Sequence, residues 1–152
     1  GALISRNRGI MQGALKLAQA RLSVATLDQL GAAALYGVDP GYFDATRNEY
    51  RRRRDTCYRK LLEIPGIVTT EPQGAFYTMA KLPVDSTERF QLYLLQEFED
   101  NGETVMFAPG SGFYATPGAG TSEIRIAYVR CVEELERSLT LLRLAIERYN
   151  QK

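Results

Sequence analysis

Apolar residues recur at helical spacing through the first third of the chain. They then alternate with polar ones, and they return to helical spacing at the end. From Arg8 to Arg21, the residues Ile10, Met11, Ala14, Leu15, Leu17 and Ala18 form a broad helical stripe. Thr26 to Tyr36 repeats the pattern with Leu27, Leu30, Ala33 and Ala34, and Gly37 punctuates its end. Asp39 and Pro40 suit the N-cap and first helical position of a third helix, expected to reach Ile64 and stop before Pro65–Gly66. Its buried edge is expected to hold Phe43, Tyr50, Cys57, Leu61 and Ile64, with Arg51–Arg54 on the other side.

Beyond Gly66 the period becomes two. Ile67–Thr70 and Ala75–Ala80 read as strands separated by the turn-like Glu71–Gly74. Asp85 with Glu88 resembles a capping box ahead of a helix from Thr87 to Asp100, whose core edge is Phe90, Leu94, Leu95 and Phe98. Asn101–Gly102 would end that helix, Glu103–Ala108 reads as another strand, and a loop rich in glycine spans Pro109 to Gly120. Ser122–Tyr128 predicts a strand with Ile124, Ile126 and Tyr128 on one face. The last helix is expected over Val132–Tyr149, with acids near its start and Arg143 and Arg148 near its end, an order that suits the helix dipole.

These elements predict an α+β fold: a small, mainly antiparallel sheet covered by helices on one face, preceded by linking helices. Residues 1–37 are expected to form the linking strand and helices, and residues 38–152 the α+β domain. Gly1–Ser5 reads as a short apolar strand. Its abrupt apolar start is expected to continue a longer polypeptide.

Composition narrows the function classes. With 152 residues, 45% hydrophobic and 24% charged, the chain can bury a real core without a metal or disulfide staple. The net charge of +1 lacks the footprint of a nucleic-acid binder. There is no histidine, which removes imidazole-based nucleophile activation and histidine-ligated zinc. Cys57 and Cys131 are too few for a structural zinc site and give no ground for a disulfide. No apolar run is long enough to span a membrane, no leader peptide is expected, and the expected setting is reducing and cytoplasmic.

Four features invite chemistry. The Arg51–Arg54 run lies on a helix beside Glu49 and Asp55, where successive positions point around the cylinder, so a solvated or docking face is expected. Pro109–Gly112 could cradle a phosphate, but it leads into no helix and has neither of the familiar phosphate-binding spacings, so a connecting loop is expected. Lys16, Lys60, Lys81 and Lys152 have no supporting constellation for Schiff-base chemistry and are expected at the surface. Arg125 sits mid-strand. By pattern alone it faces solvent or pairs with an acid, yet a rigid strand is also a good mount for a guanidinium that grips a carboxylate.

Several segments, taken in order, resemble one family. Gly1–Asn7 is similar to the stretch that follows the cofactor-binding lysine in fold-type I pyridoxal-phosphate aminotransferases of the aspartate aminotransferase type. Gln19–Ser23, Pro72–Tyr77 and Ser122–Tyr128 follow in family order, and Lys81–Asp85 with the 109–120 loop resembles a bacterial subgroup. The resemblance implies the linking helices and small C-terminal domain of such an enzyme. It further implies that Arg125 binds the substrate α-carboxylate, and that the cofactor is pyridoxal 5'-phosphate. The cofactor-bonding lysine, the residue pairing with the pyridine nitrogen and the phosphate-binding residues would lie upstream. No catalytic, cofactor-binding or metal-binding residue is therefore expected in this chain, and alone it should be inactive. The implied partners are amino-acid and 2-oxo-acid substrates, the N-terminal large domain and a second subunit. Alternatives are a carbon–sulfur lyase or an aminocyclopropane-carboxylate-synthase-like enzyme on the same scaffold, or a free-standing binding or dimerisation module.

Overall fold

The computed structural model describes residues Leu3 to Gln151 and divides the chain into two compact units, one ending at Tyr42 and the other beginning at Phe43. In the first, α1 (Arg8–Arg21) and α2 (Thr26–Ala34) occupy the segments whose periodicity predicts them. Asn7 caps α1 by accepting the Ile10 N–H at 3.1 Å. Both helices leave their apolar stripes uncovered: Leu17 is 75% exposed and Leu27 81%. A turn of 3-10 helix, Leu35–Gly37, follows. The strand expected over Gly1–Ser5 is irregular at Leu3–Ser5, and its first two residues lie outside the described residues, as does Lys152.

Asp39 and Pro40 open α3 (Pro40–Leu62) as expected, the Asp39 carboxylate accepting the Gly41 N–H at 2.6 Å. Thereafter come β1 (Val68–Thr69), β2 (Tyr77–Lys81), α4 (Thr87–Gln96), β3 (Ala108–Pro109), β4 (Glu123–Ala127) and α5 (Val132–Tyr149). The strands form an antiparallel sheet in the order β1-β2-β4-β3. Ala80 of β2 and Ile124 of β4 share one core with Cys57 and Leu61 of α3, Phe90 and Leu94 of α4, and Leu139 and Ile146 of α5. This is the α+β arrangement that the alternating and helical periods predict.

Three details differ, each for a local reason. The cap of α4 is Ser86, whose hydroxyl accepts the Arg89 N–H. Asp85 instead accepts the Tyr149 phenol at 2.9 Å, and that hydrogen bond, with the Ser86 N–H and the Arg89 charge, holds its carboxyl below the usual range. α4 stops at Gln96, because the Glu97 and Phe98 N–H groups both turn onto the Tyr93 carbonyl and Leu95 is left 52% exposed. Asn101 and Gly102, both at positive φ, close a tight turn across the Asp100–Glu103 bridge rather than capping a helix. The expected strand 103–108 consequently pairs with β4 only at Ala108–Pro109.

Burial separates the two free cysteines. Cys57 is 1% exposed and its thiol is pushed up to about 12 by desolvation, whereas Cys131 is exposed at the start of α5. Iodoacetamide at mildly alkaline pH should therefore alkylate Cys131 in the folded protein and Cys57 only after denaturation. Mass spectrometry showing both thiols modified at equal rates in the native state would contradict this packing.

Candidate functional site

Strand alternation decides which side chains of β2 and β4 can meet anything outside the core. Thr78, Ala80 and Ile124 are buried toward the helices, while Tyr77, Lys81, Arg125 and Ala127 are exposed on the other face. Register adds the neighbours: Met79 lies opposite Arg125 on one side and Ala108 of β3 opposite it on the other. Arg125 is thus mounted in the middle of an interior strand, on the face turned away from the helices.

Its guanidinium has an unusual environment. The central carbon lies 4.4 Å from the centroid of the Phe113 ring and 5.4 Å from that of Tyr77. Among the described residues the Arg125 guanidinium has no hydrogen-bond or ion-pair partner, whereas Arg47, Arg53, Arg59 and Arg137 each hold a carboxylate at 2.6–2.8 Å. Aromatic faces attract the cation without consuming any N–H group, so the whole planar fork stays available for a planar anion.

The 109–120 loop brings Phe113 to Arg125. Gly110 donates its N–H to the Glu123 carbonyl at 2.7 Å, and Ser111 donates its hydroxyl to Glu88 at 2.8 Å. Ser111–Phe113 then form a turn of 3-10 helix, and the Tyr114 phenol donates to the Glu123 carboxylate at 2.5 Å. That hydrogen bond raises the Tyr114 phenol above its ordinary range. The loop is a connector pinned to β4 and α4, with the Gly110 amide already committed. Neither Phe113 nor Tyr77 stands out in the sequence as a partner of Arg125. Alternation could have put Tyr77 on the right face, but Phe113 reaches it only through a loop whose path no periodicity encodes.

The remaining sequence candidates lie elsewhere. Arg52 and Arg53 pair with Glu49, Arg53 also donates to the Val129 carbonyl at 2.7 Å, and Arg54 pairs with Asp55. The arginine run is therefore divided among several partners rather than gathered into one patch. Lys16 and Lys81 are exposed, and Lys60 pairs with Glu63 at 2.8 Å. Among the described residues no cluster of acids and cysteines is placed to hold a metal ion, and no helix is long and apolar enough to cross a membrane.

The sheet with helices on one face, and the ordered segments along it, define a family: the chain belongs to the class I and II aminotransferases, whose model matches residues 1–140. Among its relatives, the aspartate aminotransferase of Bacillus subtilis (strain 168) is 30% identical over 132 residues, covering 82% of this chain and 31% of the relative. The aspartate aminotransferase of Bacillus sp. (strain YM-2) is 33% identical over 133 residues, covering 83% of this chain and 30% of the relative. The solved alanine aminotransferase of Pyrococcus furiosus matches 88% of this chain and 33% of its own, with a TM-score of 0.70 and 32% identity. The chain thus spans about a third of the length of the proteins it matches.

Pyridoxal phosphate, which the family uses, requires a lysine in a desolvated setting and donors for its phosphate. Lys16 and Lys81 stand in solvent and Lys60 is tied to Glu63, so none of these three lysines has that desolvated setting.

Proposed function

We propose that the complete protein containing this chain is a pyridoxal-phosphate-dependent aminotransferase acting on an aspartate-like amino acid and a 2-oxo acid, and that Arg125 grips the substrate α-carboxylate. The observation that carries this reading is the exposed guanidinium of Arg125, fixed on an interior strand against two aromatic rings and committed to no internal carboxylate. A charge-assisted fork of this kind contributes roughly 1.5–3 kcal/mol, or about one to two decades in affinity. In this reading residues 1–37 link to a large domain, residues 38–152 form the small domain, and the cofactor is held by residues outside the chain. Bound there, the cofactor acts as the electron sink of the amino transfer. The chain alone is inactive, and the complete protein is a homodimer. The aspartate aminotransferases among the relatives support the substrate class. The two unbridged cysteines support a cytoplasmic setting.

The small domain's contribution is to bring its carboxylate grip to the substrate and help exclude water. The test is Arg125→Ala in the complete protein. The apparent affinity for amino-acid substrates should fall by about ten- to a hundredfold. Unchanged affinity for acidic and neutral amino acids alike would remove the role.

A further inference from the structure

Resting on that reading of Arg125, we infer that Phe113 is a positioning residue: with Tyr77 it orders the Arg125 guanidinium before any carboxylate arrives. An arginine on an exposed strand face would ordinarily sample many rotamers, and each one lost on binding weakens the complex. Here the guanidinium carbon lies over the Phe113 ring at 4.4 Å and the Tyr77 ring at 5.4 Å, contacts that restrict the side chain while leaving its N–H groups free.

The distinguishing feature is how Phe113 is held. Glu123, two residues before Arg125 on the same strand, receives the loop on both sides of Phe113. Its carbonyl takes the Gly110 N–H at 2.7 Å and its carboxylate takes the Tyr114 phenol. Ser111 adds a tie to Glu88 of α4 at 2.8 Å. The ring and the guanidinium are therefore referenced to one strand, and their separation does not depend on the rest of the loop. Phe113 remains 48% exposed and Tyr77 46%, so the pair serves the outer face rather than the core.

The experiment is a double-mutant cycle on the complete protein, reading the dissociation constant of succinate, an unreactive dicarboxylate, by calorimetry. Phe113→Leu should weaken succinate by roughly two- to fivefold in the native background, and Phe113→Tyr, which keeps an aromatic face, should restore most of it. In an Arg125→Ala background the same leucine substitution should change nothing further. A second readout is the Nε–Hε resonance of Arg125, which should lose its ring-current shift in Phe113→Leu and keep it in Phe113→Tyr. If Phe113→Leu leaves succinate binding intact, or weakens it equally in both backgrounds, the positioning role is overturned while the carboxylate role of Arg125 stands. If Arg125→Ala itself leaves succinate binding intact, both fall together.

Discussion

Phe90→Ala is expected to destabilise the protein by roughly 3–5 kcal/mol, the range for deleting a fully buried aromatic ring. Phe90 is fully buried on α4, and its ring meets Tyr149 of α5 at 5.1 Å, Phe107 at 5.9 Å and Tyr93 at 6.2 Å. It therefore joins α4, α5 and the extended segment before β3. Tyr149 and Phe107 belong to segments that are tied elsewhere, through Tyr149 to Asp85 and through Thr104 to the Leu94 carbonyl, so the space left by the ring cannot collapse cheaply. Urea unfolding measures this, and Phe90→Leu should lose much less. A loss below about 1.5 kcal/mol for the alanine variant would mean that the site relaxes like a surface position.

Gly110→Ala is the second large effect, up to about 3 kcal/mol, the upper end for forcing extra volume into a packed site. The reason is backbone proximity: an added Cβ would stand 2.7 Å from both the Glu123 Cβ and the Glu123 carbonyl oxygen. No rotamer change relieves a contact with main chain, so the loop must move away from β4 and the 2.7 Å hydrogen bond from Gly110 to Glu123 must stretch. Amide exchange should show it as faster exchange at Gly110 than in the native protein. The same shift would carry Phe113 off Arg125. Exchange at Gly110 as slow as in the native protein would show that the loop is not pinned at this glycine.

How much of this was legible in advance depended on the range of the interaction. The bounds of α1 and α5 follow from apolar spacing and capping chemistry, which are properties of neighbouring residues, and the structure places them where those signals do. The 103–108 segment differs from its sequence pattern because β-forming residues say nothing about whether a partner edge is within reach. The tight turn at Asn101–Gly102 leaves only Ala108–Pro109 aligned with β4. The cap of α4 falls on Ser86, one residue after Asp85, because a carboxylate and a hydroxyl are equally good caps in isolation. Tyr149, far along the chain, claims the carboxylate and leaves the role to Ser86.

Residue order alone carries the periods of the elements, the absence of imidazole chemistry, the ordered family segments and a mid-strand arginine at 125. The periods and the missing imidazole are written in residue type and local spacing, and the interest of Arg125 comes from the family resemblance of the ordered segments. Long-range packing sets the rest: Arg125 stands opposite Met79, a loop tied at Glu123 lays Phe113 against its guanidinium, and no internal acid among the described residues occupies it. Those outcomes depend on strand register and loop path, which are settled by contacts between residues distant along the chain and so leave no periodic trace in it.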